Sequence, residues 1–439
     1  MSVLQNLTAR FERDVPTEHR QNFRHLYFDI GWFGILNSSS IAFAAVYATR
    51  LGASGLEIGL LNAAPALASL LFALPAGQMF RNRPMSRVVF WSAVLHRLPY
   101  VLWVALPWLL APAGQVRTLL LLAFLMSIPG TVLSISFNGM FATAVPVRWR
   151  GHVAGIRNAL YALIAVITSL VCSWLLKTYA FPGNYQLVFA LGVVGAALST
   201  AHLWFIKPQE AMPQLRSNSR PIYDWARPGS MRFAPGNTGA MGRRFMLAQL
   251  SWRRLRRSLR TDGRFRIVLF LVFFFHVSLY LSNPLFPVFL VNEVHIPDQW
   301  YSIGNGLFYV ALFLGSMQLT RVVNRLGNHK TLALGASLSC LYPLLVSQTS
   351  GVPLFLLGSM AGGFAWSIAG GALVNYVLDQ VPDENRAPYL AWYNLAIQTA
   401  VLVGSLSAPF IGNAIGLAPA LLLAAAVRFL SGVLVWRWG

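Results

Sequence analysis

The 439-residue chain is 56% hydrophobic and only 11% charged, with 34 Lys and Arg against 13 Asp and Glu, a formal charge of +21. A soluble domain needs about a quarter of its residues charged to wet its surface, so this composition excludes an ordinary soluble protein, and the apolar content excludes intrinsic disorder. Two cysteines are too few for a disulfide-stapled domain; Cys172 and Cys340 sit in apolar runs, where a thiol packs as a small hydrophobe.

A helix needs about 20 mostly apolar residues to cross a hydrocarbon core, with every backbone polar group bonded inside the segment. Such stretches are predicted near 28-49, 56-76, 88-111, 118-144, 153-176, 184-206, 266-291, 300-320, 331-348, 352-378, 388-412 and 415-436. None keeps the period-two alternation of a membrane barrel strand. The predicted fold class is therefore an all-α membrane protein, twelve transmembrane helices in two six-helix halves. Residues 1-27 form an amino-terminal segment, 28-206 the first half, 207-265 a linker and 266-439 the second half.

Basic residues cluster on one side of this topology. Arg10, Arg13, Arg20, Arg24, Arg81, Arg83, Arg87, Arg148, Arg150, Arg321, Arg325, Lys330, Arg386 and Arg437 fall on the side of the termini, against Arg50, Arg117 and Lys177 opposite. The positive-inside rule then places both termini in the cytoplasm. The charge is topological, and no nucleic-acid partner is expected. The linker opens with Pro208, Pro213, Pro221 and Pro228; over 243-262 it places Phe245, Ala248, Trp252, Leu255 and Leu259 at helical spacing among Arg253, Arg254, Arg256, Arg257 and Arg260. That is the pattern of a helix lying on anionic lipid headgroups, and equally of a solvated linker that only enforces topology.

The halves repeat. Val145-Pro146, Arg150, Asn158 and Ser169-Leu170 recur as Val381-Pro382, Arg386, Asn394 and Ser405-Leu406, an offset of 236 (381 minus 145). Asn324-Arg325-Leu326-Gly327-Asn328-His329-Lys330, between spans eight and nine, is similar to the Gly-x-x-x-Asp-Arg-x-Gly-Arg-Lys loop of the major facilitator superfamily, with Asn in place of the acid. The first-half loop, Gly77 to Pro84, keeps the glycine and basic character through Arg81 and Arg83, with Arg81 where the acid stands. Over essentially the whole chain the organisation resembles that superfamily of secondary transporters. The resemblance implies alternating access between two halves around a cavity lined by spans one, four, seven and ten, with the cytoplasmic loops (Arg81, Arg83, Arg150, Asn324, Arg325, Gly327, Arg386) in gating. The missing acids put the family's usual charge latch in doubt.

A polar group in hydrocarbon is costly, so polar residues within spans face the bundle interior or a wet cavity. Asp29, Phe33, Asn37 and Ser40 in span one step by 4, 4 and 3; Ser127, Thr131, Ser134 and Asn138 in span four by 4, 3 and 4; His276, Tyr280 and Asn283 in span seven by 4 and 3; Ser367, Gly371 and Asn375 in span ten by 4. Each helix thus carries one polar stripe. Trp366 offers a stacking face, Asn394 and Gln398 share a face of span eleven, and Pro284 and Pro287 free carbonyls as a hinge needs. Interhelical hydrogen bonding is the competing reading for each polar residue. No carboxylate sits near a midplane, leaving His276 as the candidate for proton coupling; Arg97 and Arg428 lie deep in spans three and twelve and read as structural cations.

The sequence thus points to a monomeric, multi-pass carrier of the inner (plasma) membrane that moves a small-molecule substrate. It carries no His-Glu-x-x-His or Gly-x-x-x-x-Gly-Lys motif, so no enzyme activity, metal or cofactor is expected. The other class in view is a non-transporting sensor or assembly factor of the same architecture, recruiting a partner through its basic loop.

Overall fold

The computed structural model describes residues 17–79, 83–207, 262–381 and 386–439, and those residues form helices joined by short turns. The first half comprises α1 (His19–Arg50), α2 (Gly55–Met79), α3 (Met85–Leu109), α4 (Pro112–Ala144), α5 (Arg150–Thr178) and α6 (Gly183–Trp204). The second comprises α7 (Gly263–Asn292), α8 and α9 within Asp298–Ser347, α10 (Val352–Asp379), α11 (Arg386–Ile415) and α12 (Leu417–Trp438). At 1.5 Å per residue, 20 residues span about 30 Å, so each element is long enough to cross a bilayer.

Asp298–Ser347 is a largely helical run, interrupted at Ser339–Cys340, in which Gly327, at φ +76°, separates two helices. Gly304 packs on Phe355, Phe308 on Gly363 and Leu319 on Gly371, so residues 298–326 (α8) run parallel to α10. Tyr342 packs on Gly362, Gly335 on Ala369, and Asn328 pairs with Asp379, so 328–347 (α9) runs the opposite way. The chain therefore reverses at Gly327, where a positive φ suits a residue without Cβ. The twelve spans expected from the sequence are all present, two of them joined.

Local sequence fixes the helix starts. Ser54 and Glu57 form a reciprocal capping box at the head of α2, with Ser54 N donating to Glu57 Oε2 at 2.8 Å and Glu57 N to Ser54 Oγ at 3.3 Å. Asp262 caps α7 by accepting from Phe265 N at 2.9 Å. Arg150 at the start of α5 donates to Val145 O and Ala142 O, satisfying carbonyls at the end of α4.

With twelve alternating crossings, the start of α1, the end of α6, the start of α7 and the end of α12 share one face, called here the terminal face; the other is the far face. Asn22 of α1 binds Lys207 beyond α6 through Nδ2 to O at 2.7 Å, and His329 at the start of α9 donates to Val435 O of α12 at 2.6 Å. Outward-facing tryptophans mark both ends: Trp108 and Trp174 toward the far face, Trp204 and Trp436 toward the terminal face, each 55% to 73% exposed. This is the placement of aromatic belts at two membrane–water boundaries.

A buried ion pair joins three helices of the first half. Asp29 of α1 is fully buried, accepting from Arg157 of α5 at 3.2 Å and from Ser199 of α6 at 2.6 Å. Both cysteines are free thiols. Arg81 and residues 208–261, which hold almost all of the basic 243–262 segment, lie outside the described residues.

Candidate functional site

A cavity of about 340 Å³ lies between the halves, built mostly by α7 to α12 and closed on one side by Ile41, Ala42 and Ala45 of α1 and Asn62 of α2. Its size falls in the range of small-molecule sites. His276, Tyr280 and Asn283 of α7 and Trp366 of α10 line it, so the helical spacing of span seven and the aromatic of span ten reach one space. Among the described residues, no aspartate or glutamate is in its wall.

The chemistry of each group comes from its partners. His276 Nδ1 lies 2.8 Å from Val272 O. A carbonyl accepts only, so Nδ1 carries the proton and Nε2 is left to face the cavity as an acceptor in the neutral ring. Asn283 sits at the break between Gly263–Ser282 and Leu285–Asn292 and makes no hydrogen bond to any described residue. The Tyr393 hydroxyl, on α11, is buried in the cavity wall without a partner among the described residues.

Arg428 of α12 also lines the cavity, buried to 4% exposure. Its Nε donates to Ser278 O at 3.3 Å, its Nη1 to Ser339 O at 3.2 Å, and its Nη2 to Leu279 O at 3.0 Å and to Ser282 Oγ. Ser339 O is four residues before Pro343, which has no N–H to give it, and the α7 carbonyls sit at that helix's break. The guanidinium thus staples two broken helices at their carboxyl-terminal ends, where the helix dipole favours a cation.

Asn37 lies in a π-helical turn, Asn37–Ile41, and its Nδ2 donates to Tyr309 Oη of α8 at 2.9 Å; Tyr309 Oη is also 3.2 Å from Tyr161 Oη of α5. Tyr309 lines the cavity, so Asn37 touches the wall from behind. Ser40 is fully buried against α6, where its Oγ donates to Phe189 O. Ser134, Asn138, Asn375, Asn394 and Gln398 are half-buried and outside this lining. In the loops, Arg83, Asn324, Arg325 and Gly327 are exposed, Arg386 heads α11, and Asn328 donates to Asp379 Oδ2 at 2.7 Å, a contact within the second half.

Several bonds join the halves toward the far face. Arg50 at the end of α1 pairs with Asp298 at the start of α8 at 2.9 Å and donates to Ile296 O at 2.7 Å. Ser302 Oγ donates to Ser169 O at 2.7 Å and Asn305 Nδ2 to Ser169 Oγ at 3.0 Å. Gly59 of α2 lies so close to α11 that a Cβ there would fall 2.6 Å from Ser405 O. Tyr301, Asn305, Tyr309 and Tyr342 complete the wall on that side.

The Major Facilitator Superfamily model matches residues 30–304 and 268–439. The chain belongs to the Major Facilitator Superfamily. It is thus a multi-pass membrane protein of a transporter family. Its fold is similar to that of a point mutant of the nucleoside transporter NupG, with TM-score 0.66 and 14% identity over 96% of this chain and 100% of that one. It is similar also to a bacterial homologue of the iron transporter ferroportin. In the inward-facing state the TM-score is 0.67 at 12% identity, covering 97% of this chain and 99% of that one. In the outward-facing state with soaked iron the TM-score is 0.56 at 14% identity, covering 97% and 99%. No curated protein matches the chain in sequence.

Proposed function

We propose that the protein is a carrier of a small organic solute that works by alternating access, with the cavity between its halves as the substrate site and the terminal face in the cytoplasm of the inner (plasma) membrane. The observation that carries this reading is the set of inter-half bonds toward the far face: Arg50–Asp298, Asn37–Tyr309–Tyr161 and the Ser169 cluster close that face over a cavity that holds polar groups without a partner among the described residues. Bonds of this kind must break for the far face to open. The conformation described is then inward-facing, and the higher TM-score against the inward-facing ferroportin homologue, 0.67 against 0.56, supports it. The basic residues on the terminal side support the orientation.

Asn138 of α4, Asn375 of α10 and Asn394 and Gln398 of α11 lie in the terminal-face portions of their helices, and we assign them to the mouth through which solute leaves toward the cytoplasm. Proton coupling, if the cycle uses it, runs through His276, because the described cavity wall has no carboxylate to take the proton. The protein acts as a monomer, since the cavity is complete within one chain. The test is flux in reconstituted vesicles across a solute panel, paired with cysteine accessibility at cavity positions from both sides of the membrane. Solute-dependent flux with accessibility that switches sides supports the carrier; no flux and fixed accessibility refutes it.

A further inference from the structure

The cavity carries a positive charge that no described residue in its wall cancels. Arg428 has five N–H groups. Four of them go to three backbone carbonyls and one serine hydroxyl, leaving one on Nη1 and no carboxylate in contact among the described residues. The other buried or bridging arginines with resolved ion pairs behave differently: Arg157 meets Asp29 at 3.2 Å and Arg50 meets Asp298 at 2.9 Å. Helix ends offset part of the Arg428 charge, yet a guanidinium in a low-dielectric wall without an anion is costly, and a counter-ion supplied from outside relieves that cost. The same wall is rich in ring faces. Phe286 lies 6.0 Å from the Arg428 guanidinium carbon, with Tyr342 beside it at 4.5 Å between ring centroids. Trp366 and Tyr393 also line the cavity, packed with Leu373 and Ile397, and the Tyr393 hydroxyl has no partner among the described residues.

We propose that the substrate is an organic monoanion with a planar ring, its anionic group against Arg428 and its ring toward Trp366. This rests on the carrier reading for the purpose of the site but not for its chemistry: the absence of acids from the described wall and the free N–H of Arg428 select a negative or neutral solute over a cation of the same shape, and the orphan hydroxyl of Tyr393 offers a hydrogen bond to the ring end of any of them. A charge-assisted hydrogen bond is about twice as strong as a neutral one, which favours the acid over its amide as well.

The experiment uses the purified full-length protein and three probes on one ring system: indole-3-acetate, indole-3-acetamide and tryptamine, charged −1, 0 and +1. Thermal unfolding is followed across probe concentration, since a ligand bound only by the folded state raises its melting temperature. Indole-3-acetate is expected to half-saturate at a concentration about tenfold below that of the amide, with the amine giving no rise. Equal curves, a preference for tryptamine, or no rise with any of the three overturns the assignment. Arg428→Gln strips four acceptors of their donor and is prone to unfold, so the wild-type series decides. Tyr393→Phe, which removes a hydroxyl that bonds no described residue, keeps its unliganded melting temperature and is expected to weaken the acid about fivefold; unchanged binding removes Tyr393 from the site. Charge-ordered binding without uptake of labelled indole-3-acetate into vesicles keeps this proposal and defeats the carrier. Switching accessibility without charge ordering does the reverse.

Discussion

Tyr309→Phe isolates the contact between the halves at the cavity wall. The ring and its packing stay, while the hydroxyl that accepts from Asn37 at 2.9 Å and meets Tyr161 at 3.2 Å is lost. Hydrogen bonds between membrane helices average about 0.6 kcal/mol, and a neutral buried one reaches about 1 kcal/mol, so two bonds contribute about 1.2 to 2 kcal/mol to the closed far face. They are absent once α1 and α5 move away from α8. The substitution should therefore shift the equilibrium toward the far-open state by about 8- to 30-fold. Spin labels at Ala111 and Ser350, exposed far-face loop positions in opposite halves, report the change as a longer inter-label distance in lipid nanodiscs. A distance distribution identical to that of the parent protein, with the fold retained, would refute the claim that this bridge holds the halves together.

The same geometry sets three further outcomes. Arg50→Asp should open the far face more readily, by about fivefold given that the pair is partly exposed and screened, and Arg50→Asp with Asp298→Arg should restore the parent distance distribution; a double variant no better than the single removes the pair as a gate. Gly59→Val places a side chain where a Cβ already meets Ser405 O at 2.6 Å, so it should wedge α2 from α11 and lower flux severalfold at constant expression, whereas wild-type flux would show that this approach is not needed. Asp29→Asn leaves Arg157 buried beside a neutral partner and should lower stability by about 3 to 5 kcal/mol; Asp29→Asn with Arg157→Met should recover most of it, read by denaturation in detergent.

How far the sequence reveals this arrangement depends on the kind of signal. The 4-and-3 spacing of His276, Tyr280 and Asn283 sits in a regular helix up to Ser282, so arithmetic on a 3.6-residue period brings the three to one wall. In α1 the same arithmetic carries Asn37 to the wall but not Ser40, because the π turn over Asn37–Ile41 adds backbone to the turn and rotates the remainder of the helix; Ser40 meets α6 instead. Ser127 and Thr131 bond back within α4, to Ala123 O at 2.6 Å and Ser127 O at 2.9 Å, and Thr131 Oγ1 also lies 3.3 Å from Ser69 Oγ of α2. A lone hydroxyl in an apolar run does not say which of these it will do.

Arg428 and Tyr309 are the residues whose roles the linear chain conceals. The acceptors of Arg428 are carbonyls, which leave no mark on residue type, and they belong to α7 and α9, far away in sequence. Its function is legible only when Pro343 and the Asn283–Pro284 break are seen to leave those carbonyls beside it. Tyr309 reads as one more aromatic in an apolar span until Asn37 and Tyr161 are placed against its hydroxyl. The loop motif between α8 and α9 is legible as a turn through Gly327, whereas the Asn328–Asp379 contact joins residues 51 positions apart and leaves no mark on the motif.

The most direct measurement places a single cysteine at Asn283, which lines the cavity and bonds no described residue, in a protein with Cys172→Ala and Cys340→Ser, and exposes it to a membrane-impermeant thiol reagent from each side of oriented vesicles. An alternating cavity predicts rapid labelling from the terminal face, slower labelling from the far face, and acceleration of the latter by Tyr309→Phe. Labelling from one face alone, unchanged by solute or by that substitution, would contradict a cavity that opens to the two sides in turn.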